Sequence, residues 1–554
     1  MRFFCFCLFV FFFSAKETQA QQLLGQKEVS FSRQDSLRGS ITKERVWWDV
    51  KQYRLDIKIN PLDSTITGSN TIKYKVLQEY NVMQIDLQNP LVIDKVIQDN
   101  IELNFNKDGN AYFIHLQSNQ KKGTSKEITV FYHGKPKVAV NPPWDGGISW
   151  NKDKNGKPFI ASSCQGIGAS IWWPNKDHLY DEVEKMYINV TVPGDLTDVS
   201  NGRLLRIKKQ KDGTKTYEWY VSNPINNYSV NINIGDYVSF AEKFKGEKGI
   251  LDCTYYVLRD NLAKAKKQFK EVPKMLKAFE YWFGPYPFYE DGYKLVEVPY
   301  LGMEHQSSVT YGNGFKNGYL GNDLSGTGWG LKFDFIIIHE SGHEWFGNSI
   351  TDADIADMWI HESFTNYSES LFLEYYYGKK AASTYIRGLR KNIMNDKPII
   401  GIYNVNQEGS TDMYYKGANM LHTLRQIVND DQKWRALLRG LNSTFYHQIV
   451  NTQQIENYIS EQTNLDLISF FNQYLRDTRI PILEYYFEKE QLFFRWTNCV
   501  TDFNIPVKIM VNDTEKWLYP QTNWKYETNI DKNSKVTINP DFYVKGIHIK
   551  NKID

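Results

Sequence analysis

Residues 333–346 read FDFIIIHESGHEWF, and they are the most informative stretch of this chain. In an α-helix, positions i and i+4 lie on one face about one turn apart, so His339 and His343 can bind the same metal ion. The largely apolar run at 333–338 predicts that the pair lies on a buried, rigid helix. Glu340 follows the first histidine directly, where its carboxylate can take a proton from water at the metal.

A second motif supplies a third ligand. Residues 359–364 read WIHESF, with eighteen residues between His343 and Glu362. A carboxylate on an adjacent antiparallel helix completes a His₂Glu set, so we predict His339, His343 and Glu362 as the ligands of one Zn²⁺. Such a set leaves a coordination position open, which is typical of catalytic zinc. Histidine is scarce, with 10 in 554 residues, so a pair of metal-free surface histidines is the weaker alternative. A structural zinc site is also the weaker alternative, because the predicted set leaves a coordination position open.

The composition is that of a large globular protein, with 41% hydrophobic and 23% charged residues. Its 554 residues predict three or four domains at roughly 150 residues each. The formal net charge is +2 without a concentrated basic run, so we predict no nucleic-acid binding. Beyond residue 20 the cysteines are Cys164, Cys253 and Cys499, whose odd number and wide spacing predict neither a disulfide framework nor a cysteine zinc site. One disulfide or free thiols are both compatible with this spacing.

The first twenty residues have the features of a secretory signal peptide. Arg2 precedes an unbroken apolar run at 3–13, and small or polar residues lead to a predicted cleavage after Ala20. Eleven apolar residues are too few to span a bilayer, which requires about twenty. We therefore expect an exported protein, periplasmic or secreted, without a transmembrane anchor after cleavage; an uncleaved interfacial anchor is the alternative.

Hydrophobic periodicity divides the remaining sequence. Strand-like alternation, as in Tyr53, Leu55 and Ile57, continues to about residue 241, and a helical period then dominates from about residue 261. Short alternating strands return after Pro481. We predict an α+β multidomain chain with a flexible leader over residues 21–45, an N-terminal all-β domain over 46–241, a mostly helical catalytic domain over 242–478 and a small C-terminal β-sandwich over 479–554.

These motifs resemble the M1 family of gluzincin aminopeptidases, which includes aminopeptidase N and leukotriene hydrolase. The H-E-x-x-H spacing to Glu362 agrees, HEWFGN at 343–348 resembles the family's H-x-W-x-G-N, and WIHESF resembles its W-L-N-E-G-F. The resemblance runs from about Tyr53 to the C-terminus. It implies a thermolysin-like catalytic domain with one Zn²⁺ per chain, and removal of the N-terminal residue from peptides.

The same resemblance implies an amine-binding motif. Residues 301–306 read LGMEHQ and are similar to the family's Gly-x-Met-Glu-Asn, which places Gly302 and Met303 beside the substrate. Glu304 would then pair with the free α-ammonium, which limits cleavage to the first peptide bond. Leu301 and His305 depart from the family motif. We expect His305 to add a positive charge near the amine when protonated.

Two further residues follow from the resemblance. Gln165, in the Cys-Gln-Gly string at 164–166, matches the position that helps to hold the amine and lines the first side-chain pocket. In the string YYKGA at 414–418, Tyr414 matches the family tyrosine that stabilises the oxyanion, with Tyr415 as its competitor.

Taken together, the sequence predicts a zinc-dependent aminopeptidase acting on peptides with a free N-terminus, with Glu340 as general base. Two alternatives remain open at this stage. One is a related zinc hydrolase, either an endopeptidase or an epoxide hydrolase, and the other is a non-catalytic peptide-binding protein on the same fold.

Overall fold

The computed structural model of the protein describes residues 30–550. The predicted signal peptide at 1–20 and the first part of the predicted leader lie outside these residues. Within the described part of the chain, no helix is both long and apolar enough to cross a membrane.

Residues 30–45 belong to the predicted flexible leader, and here the structure has two short helices, α1 (Arg33–Gly39) and α2 (Lys43–Val46). Ser32 caps α1, because its Oγ accepts the Asp35 N–H at 3.2 Å while its own N–H donates to the Asp35 carboxylate at 2.8 Å. Isolated helices shorter than about 12 residues are marginal in water. Contacts with distant parts of the chain therefore hold this segment, and local periodicity could not reveal them.

The predicted N-terminal β domain is confirmed. In its first strand, Tyr53, Leu55 and Ile57 are at most 3% exposed and alternate with more exposed residues, as a period of two requires. The strands are β1 (Trp48–Asn60), β2 (Thr65–Val76), β3 (Tyr80–Asp86), β4 (Val92–Gln98), β5 (Ile101–Asp108), β6 (Ala111–Gln120), β7 (Ser125–Gly134), β8 (Gly147–Lys152), β9 (Pro158–Ser163), β10 (Met186–Pro193), β11 (Thr197–Val199), β12 (Arg203–Lys209), β13 (Thr214–Val221) and β14 (Asn233–Gly235). They form a ten-stranded sheet in the order β12-β13-β10-β1-β2-β7-β4-β5-β6-β3 and a four-stranded sheet in the order β11-β14-β9-β8.

The catalytic domain begins with a five-stranded sheet that the sequence did not predict. Its strands are β15 (Tyr237–Gly246), β16 (Gly249–Leu258), β17 (Tyr293–Glu297), β18 (Gly302–Met303) and β19 (Val309–Tyr311), in the order β15-β16-β17-β19-β18. All five residues of β17 are buried, so the strand has no polar alternation to detect. The short strand β18 lies at the edge of this sheet, and it carries the predicted substrate-binding residues Gly302 and Met303.

Helices make up most of the rest of this domain, as the sequence predicted. They are α3 (Leu262–Gln268), α4 (Val272–Phe283), α5 (Phe335–Gly342), α6 (Trp359–Tyr377), α7 (Lys379–Gly388), α8 (Tyr415–Val428), α9 (Asp431–Thr444), α10 (Thr452–Thr463) and α11 (Ile468–Leu475), with the parallel strand pair β20 (Ile350–Asp352) and β21 (Gln448–Val450). The helical period that begins near residue 261 is interrupted between α3 and α4 by a 3₁₀ turn just before Pro273, whose ring favours a helix start.

The C-terminal region consists of two small sheets. Its strands are β22 (Ile482–Glu488), β23 (Gln491–Thr497), β24 (Val507–Val511), β25 (Thr514–Leu518), β26 (Lys525–Thr528), β27 (Val536–Ile538) and β28 (Lys545–His548), ordered β26-β23-β22-β28 and β25-β24-β27. Their buried residues belong to the same hydrophobic cluster as the catalytic helices, so the two regions share one core. The N-terminal domain has its own core, to which Met303 contributes. The predicted α+β class and its three-part order are thus confirmed.

Candidate metal centre and active site

The two motif histidines lie at the end of α5 and are almost fully buried. His339 is 6% exposed within the helix, and His343 is 1% exposed just after its last residue. Asp334 caps α5 by accepting the Ile337 N–H at 3.4 Å, and it also accepts the Asn313 side-chain amide at 2.8 Å. The helix that carries the histidines is therefore fixed at its N-terminus as well as by its apolar residues.

Hydrogen bonds orient both imidazoles. His339 Nδ1 donates to Glu369 Oε1 at 2.8 Å, and His343 Nδ1 donates to the Phe346 carbonyl at 3.0 Å, since both partners can only accept. In each ring, Nε2 therefore keeps a lone pair that can bind a metal ion. Both Nε2 atoms face Glu362 Oε2, at 3.7 Å from His339 and 3.4 Å from His343.

This geometry fits a tetrahedral metal ion. Ligand atoms about 2.0–2.1 Å from such an ion are about 3.4 Å apart. The ligand atoms of His339, His343 and Glu362 all lie within 4.8 Å of one another. Glu362 Oε2 is buried and receives no hydrogen bond from the described residues, so a cation is the partner its lone pairs lack. The structure thus brings the three predicted ligands together.

Glu369 is a functional residue that the sequence reasoning missed. It lies on α6, is fully buried, and holds His339 while its other oxygen accepts the Tyr385 hydroxyl at 2.6 Å. Asn366 also donates to it, at 2.8 Å. Because Glu369 is seven residues after Glu362, two helical turns place both carboxylates on one face of α6. That spacing was a signal available in the sequence.

Glu340 lies on the cavity side of α5 and is 8% exposed. Burial raises the pKa of its carboxyl to about 7, although the neighbouring histidines oppose this shift. For Glu362 burial also favours a higher pKa, yet the two imidazoles hold its pKa below the usual range. The two carboxyl groups are thus suited to different tasks, one to proton transfer and the other to permanent negative charge.

The predicted amine-binding motif lies against α5, the helix that carries His339. A Cβ added to Gly302 would be 2.6 Å from Ile336 Cγ2 and 3.0 Å from the Thr310 carbonyl, so only glycine allows this approach. Glu304, two residues further along, is 2% exposed, and its Oε1 has no hydrogen-bond partner among residues 30–550. Ligand atoms of Glu304, Glu340 and His343 lie within 4.8 Å of one another. The Glu304 carboxylate, which has one unpaired oxygen, therefore lies beside the metal centre.

His305 does not supply the positive charge expected from the sequence. It is fully buried, with Nδ1 3.1 Å from the Ser229 carbonyl and Nε2 3.2 Å from the Ser162 carbonyl. Burial lowers the pKa of His305 to about 4, so the ring is neutral near pH 7. The expectation was wrong because the side chain turns into the N-terminal domain, where it ties the motif to that domain.

Gln165 and Tyr414 each contact one of the predicted metal ligands. Gln165 Nε2 donates to Glu362 Oε1 at 3.1 Å, which leaves its amide oxygen available as an acceptor. The Tyr414 ring stacks on His339, with centroids 6.1 Å apart and an interplanar angle of 26°. Burial and the carboxylates of Glu362 and Glu304 raise the pKa of Tyr414, so its hydroxyl stays protonated and able to donate. Burial raises the pKa of the competing Tyr415 to about 12, and the negative charge of Glu369 adds to this shift.

One cavity of about 760 Å³ joins the predicted metal ligands, Glu340 and the predicted substrate-binding residues. Every predicted site residue lines it: His339, Glu340, His343, Glu362, Glu304, Gly302, Met303, Gln165 and Tyr414. Apolar side chains of Trp144, Ile167, Leu301 and Tyr319 also line it, and Trp144 is 63% exposed. These apolar walls come from separate segments, which is why sequence reasoning did not find them.

A buried His₂Glu cluster beside a cavity with a free carboxylate is the arrangement of a metal-dependent hydrolase. Two family models match this chain: the Peptidase M1 N-terminal domain over residues 50–228 and the Peptidase family M1 domain over residues 268–474. Together they cover well over half of the sequence. The chain belongs to the M1 peptidase family.

Several known proteins are similar to this chain. It is 24% identical over 440 residues to leukotriene A-4 hydrolase of Xenopus laevis, a match covering 74% of this chain and 68% of that protein. It is 24% identical over 474 residues to aminopeptidase N of Lactobacillus helveticus, a match covering 78% of this chain but only 51% of that protein. An M1 zinc metallopeptidase mutant of Deinococcus radiodurans, solved bound to a Tyr-Ser-Ala substrate, has a TM-score of 0.65 at 18% identity, covering 78% of this chain and 95% of that one. This structure shares the fold.

Replacing Glu369 with Ala should weaken metal binding, because His339 loses the acceptor that orients it. We expect zinc affinity to fall about 10- to 100-fold, measured by competition with a chromogenic chelator. Glu374→Ala is the matched control on the same helix, since Glu374 pairs with Arg425 at 2.6 Å and contacts no predicted ligand. Equal zinc affinities for the two variants would exclude this role for Glu369.

Proposed function

We propose that the protein is a zinc-dependent aminopeptidase that removes the N-terminal residue from peptides. The observation that carries the proposal is the position of Glu304, whose carboxylate lies within 4.8 Å of ligand atoms of His343 and of Glu340. One residue of extended chain spans about 3.3–3.6 Å. An α-ammonium paired with Glu304 therefore leaves room for one residue before the peptide bond reaches the metal.

His339, His343 and Glu362 would hold Zn²⁺, which the donor set and the one open position favour. Zinc bound there supplies a Lewis acid that polarises the scissile carbonyl and makes water more acidic. The M1 relative of known structure is described as a zinc metallopeptidase, which supports the same choice of metal.

The chain's own residues carry the proton transfers and hold the substrate. Glu340 takes a proton from the attacking water and delivers it to the leaving amine, a task suited to a carboxyl with a pKa of about 7. Tyr414 donates its hydroxyl to the oxygen that becomes negative. Glu304 and the amide oxygen of Gln165 accept hydrogen bonds from the substrate ammonium. The edge strand β18 offers main-chain groups to an extended peptide.

Export is part of the proposal. It rests on the apolar run at 3–13 and the small residues before Ala20. A peptidase outside the cytoplasm would act on peptides delivered from other exported or extracellular proteins. If the signal peptide is removed as proposed, N-terminal sequencing of protein recovered from outside the cytoplasm begins at Gln21. A chain that still begins at Met1 would contradict the cleavage.

Glu340→Gln keeps the shape of the side chain but removes its ability to accept a proton. We expect kcat to fall at least about 100-fold for an amino-acid amide, while the purified variant retains one zinc per chain. Zinc content is measured on the same sample as the rate. Near-normal turnover by this variant would rule out Glu340 as the base. If the wild-type protein binds zinc but does not hydrolyse the amide, a peptide-binding role would be favoured instead.

Glu304→Gln removes the negative charge that should pair with the α-ammonium. We expect KM for amino-acid amides to rise by about tenfold or more, because a charge-assisted hydrogen bond is lost. Wild-type protein should cleave free peptides and leave their N-acetylated forms intact. If free and acetylated peptides are cleaved equally, the protein is an endopeptidase and Glu304 has no role in selecting the N-terminus.

A further inference from the structure

Helix α1, which precedes the N-terminal domain, bridges two domains at the edge of the active-site cavity. On one side, Gln34 Oε1 accepts the Asn110 N–H at 3.0 Å, and Arg33 pairs with Asp108 at 2.6 Å. On the other side, the Asn406 N–H of the catalytic domain donates to the Asp35 carbonyl at 3.2 Å. Neither family model includes α1, since the N-terminal match begins at residue 50.

The contact between α1 and the catalytic domain is tight. A Cβ added to Gly39 would lie 2.1 Å from the Val405 carbonyl carbon and 2.3 Å from Asn406 N, so this position requires glycine. The Gly39 carbonyl also accepts a hydrogen bond from His178 Nε2 at 3.2 Å. The end of α1 is thus wedged between the two domains.

Arg45 fixes the other end of this segment. It is fully buried, and its guanidinium donates to the Arg38 and Ser40 carbonyls at 2.9 Å each and to the Asp86 carboxylate at 2.6 Å. Buried charges are tolerated only when they are paired and hydrogen-bonded in this way. The backbone of Arg38 is therefore held in place before its side chain makes any contact.

The Arg38 side chain reaches the loop that carries Gln165. Its Nη2 donates to the Gly166 carbonyl at 2.9 Å, and its Nε is 3.8 Å from Asp177 Oδ2. Asn406 Nδ2 donates to the same carbonyl at 3.4 Å. The Gly166 carbonyl oxygen, next to Gln165, thus accepts one hydrogen bond from α1 and another from the catalytic domain.

This loop needs support from outside. Gly166 and Gly168 have φ angles of +71° and +89°, and glycine gives the backbone wide conformational freedom. A Cβ at Gly168 would lie 2.3 Å from Arg38 Nη2, so the guanidinium also fills the space under the loop. Gln165, at the tip, makes the 3.1 Å hydrogen bond to Glu362 described above. Displacement of the loop would therefore move Gln165 away from the metal ligand.

We propose that Arg38 is a positioning residue for the amine-binding site and acts through Gly166 on Gln165. The proposal rests on the proposed aminopeptidase function, in which Gln165 accepts a hydrogen bond from the substrate ammonium. Arg38 does not line the 760 Å³ cavity, so it touches neither the substrate nor the reacting atoms. Its loss weakens substrate binding while Glu340 and the metal ligands keep their geometry.

The test compares Arg38→Met with Arg33→Met in the full chain. Both changes remove an arginine from α1, but the Arg33 side chain is 72% exposed, pairs with the partly exposed Asp108 and does not line the cavity. We expect Arg38→Met to raise KM for an amino-acid amide about tenfold with kcat changed less than about twofold, the effect of one charge-assisted hydrogen bond. Arg38→Lys retains a charged donor. On a logarithmic scale, its KM should therefore lie at least halfway back from the Arg38→Met value to the wild-type value. Arg33→Met should match wild type.

Hydrogen exchange gives a readout that does not depend on activity. Amides of residues 164–168 should exchange faster in Arg38→Met than in Arg33→Met, because the loop loses the hydrogen bond from Arg38 to the Gly166 carbonyl. Unchanged exchange together with an unchanged KM overturns the proposal. A wild-type protein without aminopeptidase activity would remove the proposed function, and loop exchange alone would then decide whether Arg38 positions Gln165.

A second variant covers the case in which Arg38→Met does not fold. Asn406→Ala removes the other donor to the Gly166 carbonyl and leaves the buried arginines in place. We expect a smaller rise in KM, about threefold, since the Asn406 bond is longer and uncharged. If KM and the exchange of residues 164–168 both equal those of wild type, the Gly166 carbonyl does not position Gln165, and the proposal fails.

Discussion

The catalytic domain is organised around a buried cluster of carboxyl groups and histidines whose charges must be balanced. Glu304, Glu340, Glu362 and Glu369 are each at most 8% exposed, and they surround two histidines. Burying a carboxylate without a partner is costly, and such groups become protonated or bind a cation. Glu369 has hydrogen-bond donors, but Glu362 Oε2 and Glu304 Oε1 have none within residues 30–550. In the proposed function, a metal ion satisfies the first of these oxygens and a substrate ammonium satisfies the second.

The surrounding elements keep these groups together. Helix α5 supplies His339 and Glu340, His343 follows its last residue, and α6 supplies Glu362 and Glu369, so two helices position these five side chains. The N-terminal domain completes the site with Gln165, and the edge strand β18 carries its backbone up to α5 because Gly302 has no side chain. In the proposed function, substrate selection therefore depends on how the two domains are docked. Arg38 and Asn406 both donate to the Gly166 carbonyl at this junction.

The sequence was informative where the signal was local. The i, i+4 histidine pair and the spacing to Glu362 predicted the metal ligands, because helical geometry alone brings these positions together. Resemblance to a family added Glu304, Gln165 and Tyr414, and all three line the cavity. Periodicity failed for β17, which is buried on both faces, and for α1, which packs on residues more than seventy positions away. His305 was misjudged because its direction depends on the docking of two domains, which no local pattern records.

Metal content is the most direct test of this account. Purified wild-type protein, dialysed against metal-free buffer, is analysed for zinc by mass spectrometry together with its hydrolysis of an amino-acid amide. The account predicts one zinc per chain, and loss of both zinc and activity after treatment with a strong chelator. A metal-free protein that hydrolyses the amide at the same rate would contradict it, since His339, His343 and Glu362 would then have no catalytic task.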